Sequence, residues 1–100
     1  MTLGILVNTN RFKNLIVELT KTALNRGHRV MLFFMDEGTK LLEDESVQAL
    51  HSLTNTDMSF CDHSAKNFGI NSEAVPESIV SGSQYNNARM IHDADKVIVL

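Results

Sequence analysis

The sequence predicts an α/β fold, a three-layer α/β/α sandwich around a five-stranded parallel sheet. Three observations predict it. Residues 3–7 and 30–35 are nearly continuous apolar runs of strand length, the pattern of strands buried on both faces. The stretch between them carries its apolar residues at helical spacing. Strand-like and helix-like stretches then alternate along the rest of the chain, as a parallel sheet with crossover helices requires.

Each element follows from local pattern. The run 3–7 ends at Asn8-Thr9-Asn10, a polar triplet that supplies candidate helix N-caps. Phe12, Leu15, Ile16, Leu19, Ala23 and Leu24 share one face of the first helix, and Gly27 is expected to end it in the left-handed region. The second strand, 30–35, gives way to turn chemistry at Asp36-Glu37-Gly38-Thr39. Residues 40–46 read as a loop or a short helical turn. Val47, Leu50 and Leu53 with Ala49 predict a second amphipathic helix ending near Asn55. Residues 58–61 form a short third strand, and Asp62-His63-Ser64 opens a third helix that stops at Gly69, with Ile70 packed over the stop. Residues 71–75 fit no single element, and Pro76 keeps Val75 out of helical geometry. Residues 78–80 give a fourth strand, Ser81-Gly82-Ser83 a turn and cap, and Tyr85, Ala88, Ile91 and His92 one face of a fourth helix. Asp93-Ala94-Asp95 stops that helix before the fifth strand, 96–100.

One hundred residues suit a single domain, 1–100, able to bury a real core. The net charge of −3 and the absence of any basic run leave no footprint for nucleic acid. The longest apolar run, 30–35, is too short to cross a membrane. A single cysteine excludes an internal disulfide and any metal site built on cysteine pairs. A cytoplasmic location is the expectation, with no metal.

Cys61 is the residue with chemistry to offer. It stands where the third strand runs into the third helix, at a strand's carboxyl end, where parallel α/β sheets place their sites. The helix N-terminus favours a thiolate there. His63 or Lys66 could add positive charge, with Ser64 beside them, whereas the Asp62 carboxylate would oppose ionisation. Position 67 is Asn67, not the arginine that cysteine phosphatases use to grip phosphate, and position 64 is Ser64, not a resolving cysteine. Both of those chemistries are therefore removed. The competing account of Cys61 is a small, inert, buried side chain. No glycine-rich nucleotide fingerprint follows the first strand. Thr9-Asn10 and Ser81-Gly82-Ser83 are the only loops that could hold an anion on backbone N–H groups.

The segment 60–70, Phe-Cys-Asp-His-Ser-Ala-Lys-Asn-Phe-Gly-Ile, resembles the C-x-x-S/A-A-x-x-x-G-[IV] stretch of the DsrE/DsrF-like sulfur-relay family. Residues 30–42 resemble that family's second strand and the turn after it, Ser81-Gly82-Ser83 its fourth loop, and residues 93–99 its closing A-D-x-V-[IL] strand. The resemblance implies a small parallel-sheet domain, often a homo- or hetero-oligomer such as a trimer or hexamer, without metal or organic cofactor. It implies that Cys61 takes sulfane sulfur as a persulfide from a sulfur donor protein and passes it to an acceptor protein. Direct contact with nucleic acid or membrane is not implied. Asp62-His63 is more polar than the small residues expected after the family's cysteine. Two other functions stay open at this point: an oligomeric binding module with an inert Cys61, and an anion-binding domain using the two small-residue loops.

Overall fold

The three central strands form where apolar runs have neighbours on both sides to complete their hydrogen bonds, and the two edge strands have one neighbour each. A computed structural model describes residues 1–100. The strands are β1 (Thr2–Val7), β2 (Arg29–Phe34), β3 (Thr56–Cys61), β4 (Ile79–Gly82) and β5 (Lys96–Val99). All pair in parallel, in the order β4-β3-β2-β1-β5. The helices are α1 (Lys13–Asn25), α2 (Glu45–Gln48), α3 (Asp62–Asn67) and α4 (Gln84–Asp93). Three 3₁₀ segments, Asp36–Glu43, Ala49–Ser52 and Ser72–Ala74, fill the connections. No helix is long and apolar enough to cross a membrane.

The strand order decides which face each helix covers. From β1 to β4 each step moves the same way across the sheet, so right-handed crossovers put α1, α2 and α3 on one face. The return from β4 to β5 reverses direction and carries α4 to the other. Burial agrees. Leu3, Ile5, Val7, Val30, Leu32, Phe34, Met58 and Phe60 share one core with Ile16, Val17, Leu42, Val47, Leu50 and Ala65. The alternate residues on the opposite face form a small second cluster in which Phe33, Cys61 and Met90 are buried and Leu6, Met31 and Met35 partly so.

Several local expectations are corrected. No residue of the Asn8-Thr9-Asn10 triplet caps α1; the N-cap is Phe12 and has no side-chain hydrogen bond. The second helix is not continuous. Asp44 caps a four-residue α2 by accepting from the N–H groups of Ser46 and Val47, and the chain then tightens to 3₁₀ and ends at Ser52. Val47, Leu50 and Leu53 are spaced by three, which suits 3.0 residues per turn as well as it suits 3.6. Residues 40–43 end a 3₁₀ segment, the short helical turn expected there, with Leu41 and Leu42 buried. That segment packs so closely over β1 that a Cβ on Gly38 would collide with the Val7 carbonyl. Gly27 and Gly69 do lie in the left-handed region, at φ 83° and 70°.

The fourth strand runs two residues further than its apolar letters suggest. Phe60 pairs with Ser81 and Cys61 with Gly82, so Ser81 and Gly82 belong to β4 rather than to a turn. Ser83 caps α4, in a capping box with Asn86. The face of α4 is also reversed. Tyr85 and Ile91 are 69% and 51% exposed, while Met90 is buried and Asn86, Asn87 and Ala94 are half-buried. Gly4 explains the orientation: a Cβ there would lie 3.1 Å from Ala94 Cβ and 3.2 Å from Met90 Cγ, so α4 settles on the bare patch of β1.

Candidate functional site

Cys61 ends β3 and is the N-cap of α3. Its register partner Gly82 ends β4. The chain leaves β3 toward one face and β4 toward the other. This pair of neighbouring strands is therefore the topological switch point of the sheet, where carboxyl-end crevices open in parallel α/β folds.

The thiol is 6% exposed and packs with Phe33 and Met90. Burial pushes its pKa up, but the Ser64 hydroxyl, the Ser64 N–H, the Gln84 side-chain amide and the His63 N–H all favour the thiolate, and the result lies below the ordinary thiol value. The thiol makes no side-chain capping hydrogen bond. The first-turn donors act instead on the ionised sulfur, which accepts hydrogen bonds far more strongly than a thiol does. The Gln84 amide also donates weakly to Met35 Sδ at 3.7 Å.

The residues expected to support Cys61 divide. Ser64 is buried and is the strongest stabilising neighbour. His63 contributes through its backbone; its ring lies 3.3 Å from Asn67 Nδ2. Lys66 is 75% exposed and pairs with Asp62 at 2.9 Å, so it does not serve as the cation for Cys61. The same pairing removes the concern over Asp62. Its carboxylate is turned to Lys66 and accepts from Ser81 Oγ at 3.3 Å, and its own pKa falls through the Lys66 hydrogen bond first. Asp62 is not among the groups that shift Cys61.

The two candidate anion loops do not meet. Thr9 and Asn10 follow β1, whereas Ser81, Gly82 and Ser83 end β4 and cap α4. Three strand spacings, about 14 Å, separate the two loops. Thr9 Oγ1 accepts from the Arg11 N–H at 3.5 Å, and Ser83 is occupied by its capping box. No cluster of three or more histidine, cysteine or carboxylate side chains is placed to hold a metal ion. Two site residues lay beyond sequence reasoning, Gln84 and Met35. Gln84 is the first residue of α4, and only the pairing of β3 with β4 brings it to Cys61.

A lone thiol at the switch point of a small parallel sheet, ringed by neutral donors, defines a single-cysteine α/β domain. The chain belongs to the DsrE/DsrF-like family, whose model matches residues 1–100. The crystal structure of the ychN protein from E. coli has the same fold, with a TM-score of 0.70 over 99% of this chain and 97% of that one at 16% identity. No curated protein matches the sequence.

Proposed function

We propose that this protein is a sulfur carrier that holds sulfane sulfur as a persulfide on Cys61 and passes it to a partner protein. The observation that carries this reading is the place of Cys61 at the switch point and at the N-terminus of α3, with neighbouring donors that favour its thiolate. Family membership over residues 1–100 supports it. The Cys61 thiolate attacks the outer sulfur of a donor persulfide R–S–SH. The donor S–S bond breaks, R–S⁻ leaves, and Cys61–S–SH forms. An acceptor thiolate repeats the attack on the outer sulfur and Cys61 departs as thiolate. Each step exchanges one S–S bond for another, with no net oxidation and no cofactor. The neutral donors around Cys61 stabilise it in its role as attacking group and again as leaving group.

Self-association belongs to the same proposal. Val97 and Val99 on the edge strand β5, together with Tyr85 and Ile91 on α4, are exposed apolar side chains of the kind a second copy would cover. A trimer or hexamer in the cytoplasm is the form proposed.

Intact-protein mass spectrometry after incubation with a persulfide donor tests the chemistry. The expected product is a species heavier by about 32 Da, one sulfur atom, absent in Cys61→Ser and removed by an acceptor thiol. No adduct, or one that persists in Cys61→Ser, would leave Cys61 as a packing residue.

A further inference from the structure

A depression of about 410 Å³ runs from the amino ends of β3 and β4 along the flank of α4. We propose that it is a binding site for a phosphate-class oxyanion, held principally by Arg89. This is separate from the sulfur chemistry and does not rest on it.

Charge bookkeeping singles out Arg89. Two arginines line the depression, Arg29 and Arg89. The Arg29 guanidinium is committed to Asp57, with Nε 3.1 Å from Oδ2, so those two charges cancel. Asp93, one turn beyond Arg89 on α4, hydrogen-bonds the His92 ring at 3.0 Å, and its carboxylate also feels the charges of Arg89 and Arg29, but it does not line the depression. Arg89 itself is in none of the four ion pairs of the protein. Among the residues lining the depression, its guanidinium is the positive charge without an ion-pair partner.

The rest of the wall is polar. Ser59 and Ser78 offer hydroxyls, Asn86 lies one turn before Arg89, and His51 Nδ1 is 2.5 Å from Ser78 Oγ. Only Met58 and Val80 are apolar. An apolar ligand would strand these groups, whereas a tetrahedral oxyanion supplies several acceptors to one guanidinium fork and the hydroxyls around it.

The test is an amide NMR titration of the whole chain with inorganic phosphate, with ionic strength held constant by chloride. Saturable shifts confined to residues around Arg29, Ser59, Ser78, Asn86 and Arg89 are expected. Arg89→Gln should weaken binding about tenfold or more, and Arg89→Lys, which keeps the charge but loses the fork, should fall between. Arg89 is exposed, so neither variant should change the melting temperature appreciably. Cys61→Ser should bind phosphate as the wild type does. Shifts that never saturate, saturable binding unaltered by Arg89→Gln, or binding lost in Cys61→Ser would each overturn the proposal.

Discussion

Cys61 and Gly82 face each other as the last residues of two adjacent parallel strands, and the chain turns to opposite faces of the sheet after each of them. The donors that tune Cys61 therefore come from both sides of that seam, Ser64 and His63 from the first turn of α3 and Gln84 from the start of α4. Reactivity at Cys61 depends on both elements staying in place.

Ser64→Ala removes the hydroxyl that most favours the thiolate. A hydrogen bond to a charged acceptor contributes about 1.5 kcal/mol or more, so thiolate-dependent alkylation of Cys61 at neutral pH should slow about tenfold. Measuring the alkylation rate against pH should show the same maximum rate with the rise displaced to higher pH. An unchanged pH profile would remove Ser64 from the site.

Asp62→Asn should change that profile by less than about twofold, because the carboxylate already serves Lys66 and Ser81. A large acceleration on neutralising Asp62 would show that its charge reaches the sulfur after all.

Gly38→Ala and Gly82→Ala should both destabilise, for different reasons. At Gly38 the new methyl meets the Val7 backbone carbonyl, which has no freedom to move, and a loss of about 3 kcal/mol is expected. At Gly82 it meets the Asn86 side chain, which can rotate away at the cost of the α4 capping box, so about 1 kcal/mol is expected. Urea denaturation midpoints compare the two, and an equal cost would contradict this ordering.

Acid sensitivity should trace in part to Asp44. Hydrogen bonding from Ser46, opposed by burial and assisted by Lys13 and the Val47 N–H, lowers its pKa to about 2. A carboxyl with a depressed folded-state pKa contributes stability above its unfolded value near 3.9, and that contribution is lost as pH falls toward 2. In Asp44→Asn, which keeps a capping oxygen but not the charge, stability should fall less steeply between pH 5 and pH 2 than in the wild type (pH limits approximate, from the same linkage). Parallel curves in a pH series of urea midpoints would assign the acid loss elsewhere.

Much of the fold was legible because a parallel sheet buries its strands on both faces and so writes them as apolar runs. Residues 3–7 and 30–35 could hardly be anything else, and the two left-handed glycines punctuate α1 and α3 as expected. The second connection was harder, since a spacing of three between Val47, Leu50 and Leu53 does not separate an α-helix from 3₁₀ turns. The face of α4 was misread for a plainer reason. Tyr85, Ala88 and Ile91 share a spacing of three, yet the close approach at Gly4 turns Met90 and Ala94 inward and leaves those three outside. Cys61 was visible by position alone. Its partner Gln84 was not, because residues 23 positions apart in sequence (Cys61 and Gln84) are brought together only by strand pairing. The role of Asp62 turned on where its carboxylate points, which no pattern of letters records.

The sheet also works as a bulkhead. Nineteen buried residues on one side anchor the fold, while the thiol shares the other with only Phe33 and Met90 as fully enclosed companions. Side chains on the α4 side of Cys61 can therefore be exchanged to alter the reactivity of the thiol, with the main load of stability carried in a separate compartment across the sheet.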